Sequence, residues 1–427
     1  MDERDEALKR DRERQRKREE LRQKREEQVT KQKKMAIGIG LLAGILLIVS
    51  IFAGVQISKN IKAKKAKEKA RQEKLVKEKE QENHTIEFLA VGDNIAHKTI
   101  RESGMQEDGV WNYDHVYQYV KKDVEEADLS LVTQETVFVE DRNNVSGYPT
   151  FGTPPEFGDA LVNTGFDVVA HATNHILDKG TKSIEYTLDW WKTNHPDTKI
   201  LGIHDSQEAA DEITVVKCKK LKIAMLDYTY SLNGLKLPSD KEYLTDVFDA
   251  EKARSDIKQA KKMADVVLVV MHVGVEYQQD VDDETRQWVD LFLEEGVDIV
   301  IGSHPHVVRT METLTGEDGH KMLVYYSLGN FTSTQNSLPS LLGAMAKITI
   351  RKNIDTGKIE IPEHEFIPLL MYYDRENSAA GIYKLKDYPE ELIEKHSVYK
   401  ANPTKFSKEY YETLFEEIKS KGNDGEI

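Results

Sequence analysis

The 427-residue chain has one cysteine, Cys218. A lone thiol excludes an intrachain disulfide and a multi-cysteine metal cluster. It lies far from the N-terminus, so it is not a lipoprotein acylation site. The count leaves the compartment open, because a chain this long can build a core without disulfides. Positive charge is also short: 60 Lys and Arg face 75 Asp and Glu, a formal net charge of −15. The imbalance is uneven. Residues 1–82 carry 24 basic and 15 acidic side chains, a net of +9, and residues 83–427 carry 36 and 60, a net of −24. A domain this acidic is a poor scaffold for a polyanion, which argues against nucleic acid as a partner. No internal repeat is present.

Only one uninterrupted apolar run reaches membrane length, Met35 to Ile57. At 1.5 Å per residue it spans about 34 Å as a helix, enough to cross a bilayer with some tilt. A buried core helix fits poorly, since highly charged segments flank both ends. A cleaved signal peptide fits poorly too, because the run is long, begins after 34 residues and has no small-residue cleavage pattern. The run therefore reads as a signal-anchor. Nine Lys and Arg in residues 15–34 balance nine in residues 58–77, so charge alone does not orient it. The basic excess beside the run would attract anionic lipid headgroups.

The expected organisation follows. Residues 1–34 form a charged tail, as a solvated helix or disordered, and 35–57 a transmembrane helix. Residues 58–82 have no Gly or Pro and form a charged helical stalk. Residues 83–375 form the main domain, and 376–427 a C-terminal extension with a docking helix at Phe406 to Ile418. Lys419 to Ile427 read as disordered. In the main domain, apolar spacings of three and four predict helices at Tyr113–Ala127, Lys182–Thr193, Ala250–Ala264 and Asp282–Glu295. Trp190 and Trp191 fall on one of them as core residues. A hairpin is expected at Ala344–Ile350 and Lys358–Ile361, around the turn at 353–357.

Six apolar runs read as buried strands: Ile86–Val91, Leu129–Val132, Phe166–Ala170, Val266–Met271, Val297–Ile301 and Met322–Tyr326. Each ends in a polar motif. These are Gly92-Asp93-Asn94, Gln134-Glu135-Thr136, Asn174-His175, His272, Gly302-Ser303-His304-Pro305-His306 and Ser327-Leu328-Gly329-Asn330-Phe331. Ligands of α/β folds bind outside the carboxyl ends of strands. Any one of these residues alone is better read as a cap, a turn or a satisfied core histidine. Six coincident placements instead predict one polar cluster built from distant segments. Imidazole, amide and carboxylate donors without thiolate suit Zn, Mn or Fe.

In these same segments the chain resembles the CapA family of poly-γ-glutamate capsule synthesis proteins, whose main domain is similar to the calcineurin-like metallophosphoesterases. The segments that carry the resemblance are Ala90 to Asp93, His171 to His175 with Asp178 and Gly180, His272 to Tyr277, Gly302 to His306 and Tyr326 to Phe331. They appear in family order across residues 85–370. The sequence departs from the commonest family form at Gln134, Val273 and Ser303. The resemblance implies a layered α/β/β/α metallophosphoesterase-like sandwich, in keeping with the change from alternating helices and strands to consecutive strands.

It further implies a metal set of Asp93, Glu135 as bridging acid, Asn174, His272, His304 and His306, with His175 as general acid. The Asp-x-His motif of the metallophosphoesterases is broken, because Ile95 stands two residues after Asp93. His97 is an alternative ligand or a helix-side polar residue. A mononuclear centre, an unequal pair of cations and a metal-free relic all remain open. Glu276, Asn330 and Arg309 are candidates for substrate contact, with Arg142 a further anion-binding candidate and Asp178 an orienting residue for His175. The family places the main domain outside the cell and the N-terminus in the cytoplasm, with membrane-bound synthase subunits as partners and an anionic polymer or phosphate substrate. Three functions follow as expectations: a component of polymer synthesis or export, a phosphoesterase of the cell envelope, and a binding scaffold.

Overall fold

The computed structural model describes residues 2–106 and 109–423. The chain divides into two units, Met1–Glu78 and Lys79–Ile427. Among the described residues the first is helical from Glu3 onward, and this helix, Glu3–Asn83, has no buried residue. The charged tail is therefore helix. Among the described residues this is the one helix long and apolar enough to cross a membrane.

The second unit is a mixed α/β sandwich. In chain order its strands are β1 (Thr85–Asn94), β2 (Leu129–Gln134), β3 (Val168–Ala170), β4 (Lys199–Leu201), β5 (Thr214–Cys218), β6 (Leu221–Thr229) and β7 (Val266–His272). There follow β8 (Ile299–Ser303), β9 (Val308–Thr315), β10 (Lys321–Leu328), β11 (Asn330–Thr332), β12 (Leu342–Lys352), β13 (Ile359–Asp374) and β14 (Ala379–Lys384). One sheet runs β14-β13-β12-β1-β2-β3-β4, with β11 beside the end of β1; the other runs β5-β6-β7-β8-β10-β9. β1 to β4 are mutually parallel, as are β6, β7, β8 and β10.

Strand alternation explains the layering, because successive side chains point to opposite faces. Val266, Leu268 and Val270 of β7, with Ile299 and Ile301 of β8, join the core shared with the first sheet. Their neighbours Val267, Val269 and Val300 pack with Ile257 and Phe292 of the helices Ala250–Met263 and Asp283–Glu295. This is the α/β/β/α order expected.

The helices predicted at 182–193, 250–264 and 282–295 are present within a residue or two. The one predicted at Tyr113–Ala127 is two short helices, Asp114–Tyr117 and Lys121–Glu125. Its apolar spacing was sound, as Val116, Tyr117, Val120 and Val124 are all buried, but the chain turns at residues 118–120. The 375/376 boundary is not a boundary. β14 completes the first sheet against β13, and the helix Lys408–Ser420 buries Tyr411, Phe415 and Ile418 in the main core. Order continues to Asn423, whose carbonyl accepts from the Thr313 amide at 2.8 Å; the rest of the expected disordered tail, residues 424–427, lies outside the described residues.

Candidate metal centre

All six strand-end motifs converge where the carboxyl ends of the parallel strands of both sheets meet. Close backbone approach makes this possible. Gly92 can have no side chain, because a Cβ there would lie 1.9 Å from the Gly329 carbonyl oxygen, and at Gly302 it would lie 2.2 Å from that of Tyr326. The Asp93 amide donates to the Gly329 carbonyl at 3.0 Å, which holds the end of β1 against the chain crossing from β10 to β11. His304 and His306 both take positive φ, 95° and 58°. Non-glycine residues in that region cost on the order of 1–3 kcal/mol each, a strain found where surrounding structure imposes a functional geometry.

Three carboxylate and imidazole groups come together at the centre. Ligand atoms of Asp93, Glu135 and His306 lie within 4.8 Å of one another, all buried. His306 Nδ1 is 3.6 Å from Asp93 Oδ2, and its Nε2 is 3.7 Å from Glu135 Oε1. His272 Nδ1 lies 3.6 Å from Asp93 Oδ1, and its Nε2 lies 2.8 Å from Asn174 Oδ1. The rings of His272 and His304 are 4.8 Å apart, and those of His304 and His306 5.9 Å. The His304 amide donates to Asp93 Oδ2 at 2.9 Å.

The electrostatics fit a cation. Burial pushes the Asp93 carboxyl up to about 7 and Glu135 well above the usual carboxylate range, Asp93 adding to the effect on Glu135. Burial, then neighbouring imidazoles, holds His272 and His304 far below the ordinary histidine value; burial takes His306 to about 4. Neutral imidazoles are the ligand form. Asp93 Oδ1, Glu135 Oε2 and His304 Nδ1 are buried with no hydrogen-bond partner among the described residues. Buried polar atoms without partners are costly, and unpaired carboxylate and imidazole atoms are the donor types of a cation site.

His175 stands at the edge of this set. Its Nδ1 is 2.7 Å from Asp178 Oδ2, while its Nε2 is 3.9 Å from Glu135 Oε1. Phe151 packs edge-on against the ring, centroids 4.9 Å apart. Thr173 ties the loop to β2 by donating to the Glu135 carbonyl at 2.7 Å.

Three other expectations change. Arg309 is fully buried and spends its guanidinium on Asp282 at 2.8 Å and on the carbonyls of Gln278 and Val275. It therefore anchors the 275–282 loop and is not offered to substrate. Asn330 is buried behind His306, its Oδ1 3.0 Å from His306 Nδ1, and acts on that ring. Glu276 is exposed, but its carboxylate clusters with His304 and His306, nearer to a ligand position than to a remote substrate contact. Arg142 is engaged by Glu156 and by the Trp111 ring. His97 accepts from the Thr334 amide at 3.3 Å and packs against Phe151.

Sequence reasoning missed Asn233 and Tyr230. Asn233 Oδ1 accepts from Asn174 Nδ2 at 3.1 Å and its Nδ2 lies 3.4 Å from His175 Nδ1; the Tyr230 ring is 4.6 Å from that of His304. Asn233-Gly234 is an ordinary turn signal, and nothing in it marks a site.

These features define a class: an α/β/β/α sandwich with a candidate metal centre at the carboxyl ends of its strands. Within that class, the chain belongs to the family of bacterial capsule synthesis proteins PGA_cap, whose model matches residues 87–335. It is 30% identical over 228 residues to the PGA biosynthesis protein CapA of Bacillus subtilis (strain 168), covering 51% of this chain and 56% of that protein. The match thus spans little more than half the length of that relative. Identity to the capsule biosynthesis protein CapA of Bacillus anthracis is 22% over 309 residues, 70% of this chain and 72% of that protein. Among solved structures, the calcineurin-like phosphoesterase YfkN of Bacillus subtilis overlaps at a TM-score of 0.38 with 12% identity, over 78% of this chain and 99% of that one.

Proposed function

We propose that this chain is a membrane-anchored component of poly-γ-glutamate capsule synthesis or export, with its globular unit outside the cell and a divalent cation (Zn, Mn or Fe) in its buried centre. One observation carries the reading: Asp93, Glu135 and His306, from three distant segments, place their ligand atoms within 4.8 Å of one another in a chain of this family. The apolar helix segment supports the anchor, and membrane-bound synthase subunits would be its partners.

Asp93, Glu135, Asn174, His272, His304 and His306 would hold the cation. When bound, it supplies Lewis-acid polarisation of a phosphoryl or carboxyl oxygen. The remaining work falls to the chain. Asp178 fixes the His175 ring through Nδ1. That leaves Nε2 facing the centre, where it can give a proton to a departing oxygen. Asn330 sets the His306 ring, and the buried Arg309 holds the loop that carries Glu276.

A second reading, hydrolysis of a phosphate compound of the cell envelope, is favoured by the His175–Asp178 pair. A binding scaffold has no need of an oriented proton donor.

Deleting the gene and restoring it with wild type, His175→Ala or Glu135→Ala at equal expression tests the role. Polymer per cell should vanish on deletion and return only with wild type. Unchanged polymer on deletion overturns the capsule role. Near-normal polymer from both variants overturns chemistry at the centre and leaves the scaffold.

A further inference from the structure

The loop from Tyr230 to Val247 does more than touch the centre. Tyr230, Leu232, Leu235, Leu237 and Tyr243 line a cavity of about 610 Å³. Tyr230 also packs on His304, and Asn233, between two lining residues, bonds Asn174 and approaches His175. The cavity and the centre thus share a wall. Its charged members cancel, Lys236 and Lys252 against Glu242 and Asp246, and Lys252 is already paired with Asp256 at 2.7 Å. A strongly anionic chain finds no compensating charge there.

Apolar surface gathers around the same place. Of nine large apolar side chains exposed on the globular unit among the described residues, five are Tyr148, Leu235, Val247, Val275 and Tyr277. Leu235 and Val247 line the cavity. The Tyr277 ring lies 5.9 Å from that of His306, and Tyr148 packs on Phe151, which packs on His175. Exposed apolar side chains concentrated at a polar centre mark a ligand with both characters.

We infer that the substrate of this centre is an amphiphilic phosphoester, an aryl or alkyl phosphate, whose apolar arm occupies the cavity beside Asn233. The inference rests on the hydrolytic reading above. In the reaction the P–O bond to the arm breaks, water supplies the new oxygen on phosphorus, and the arm leaves as an alcohol with the proton given by His175. Water's own proton passes to solvent. The polymer itself is then not the substrate of the centre.

The test uses the full chain in phosphatidylcholine nanodiscs supplied with Mn²⁺. Wild type should prefer 1-naphthyl phosphate over glycerol 3-phosphate by at least about tenfold in kcat/KM, the scale at which an apolar pocket discriminates. Leu235→Glu, at an exposed position, should bring that ratio below about threefold. Equal use of both esters by wild type, or an unchanged ratio in the variant, overturns the inference. If neither ester is hydrolysed, the hydrolytic reading fails by itself, and binding of the inert 1-naphthylmethylphosphonate against methylphosphonate decides the cavity. Binding about tenfold tighter, lost in Leu235→Glu, retains it as the apolar subsite; equal binding removes it. Phosphatidic acid in the nanodiscs that competes with the naphthyl probe assigns the arm to a lipid, and absence of competition to a soluble ester.

Discussion

Asn94 donates its side-chain amide to Gln134 Oε1 at 2.8 Å, joining the ends of β1 and β2 just where each strand delivers a carboxylate. Both partners are engaged further. Asn94 Oδ1 accepts from the hydroxyls of Tyr117 at 2.9 Å and Thr332 at 2.6 Å, and Gln134 Nε2 donates to the Thr136 carbonyl at 2.8 Å. Asp93 and Glu135 are the chain neighbours of this pair, so a satisfied amide network fixes the spacing of two buried acids that would otherwise repel.

Asn94→Leu should leave Gln134 Oε1 and the two hydroxyls buried and unpaired. The expected loss is about 2–4 kcal/mol of folding stability, read by denaturant unfolding. Metal content should fall with it. A loss within about 0.5 kcal/mol would show that the network is not needed.

Cation binding should centre on Glu135, which lies against both Asp93 and His306. Dialysed full-length protein should retain close to one tightly held divalent ion and bind a second weakly, with Asp93→Ala lowering content more than His304→Ala. Glu135→Ala should weaken binding on the order of 100-fold or more, while His175→Ala keeps wild-type content. Elemental analysis checks each; two tight ions, or none under any condition, would contradict the assignment.

Arg309→Met should cost about 3 kcal/mol, because it strands Asp282 beside an apolar side chain. Burial alone would raise the Asp282 carboxyl, but the Thr285 amide and Arg309 outweigh it and hold it at about 2. Faster proteolysis of the 275–282 loop should accompany the loss. An unchanged melting point would show that this anchor does not stabilise the fold.

Away from the centre, His396 gives the fold a dependence on acid. It is buried, with Nε2 3.1 Å from the Met371 carbonyl and Nδ1 accepting from the Val398 amide at 3.1 Å. Burial lowers it to about 4, opposed by the Met371 carbonyl and Asp374 and helped by Arg375. Below the ordinary value near 6.5, the unfolded chain takes up a proton that the native ring refuses, so stability falls as pH falls from 6.5 to about 4. The contribution lost is on the order of 3 kcal/mol. Unfolding free energies at pH 7 and pH 4.5 should converge in His396→Gln relative to wild type; an equal pH slope in both would remove the residue from the effect.

Protease added to intact cells lacking a wall should digest the globular unit, and removal of residues 35–57 should release the protein from the membrane fraction. Full protection from protease would reverse the proposed orientation.

Much of the main unit was legible because its apolar runs are bounded by polar residues at strand ends. The runs before Asp93, Glu135, His272 and His304 form β1, β2, β7 and β8. The end of the domain was legible only in part: the docking helix expected at Phe406–Ile418 is present as Lys408–Ser420, but β14, which completes the first sheet, carries no site motif to mark it.

The sequence by itself determined the apolar segment at 35–57, the alternation of helices and strands, and which polar residues lie at strand ends. Periodicity and composition are local, and they are written in neighbouring residues. Only the tertiary structure decided what those residues meet. Arg309 turned inward to Asp282, Asn330 fell behind His306, and Glu276 moved toward the imidazoles. Asn233, unmarked in the chain, came to rest against Asn174 and His175. Such contacts join residues dozens to hundreds of positions apart, and their distances follow from how two sheets pack, which no short window of sequence contains.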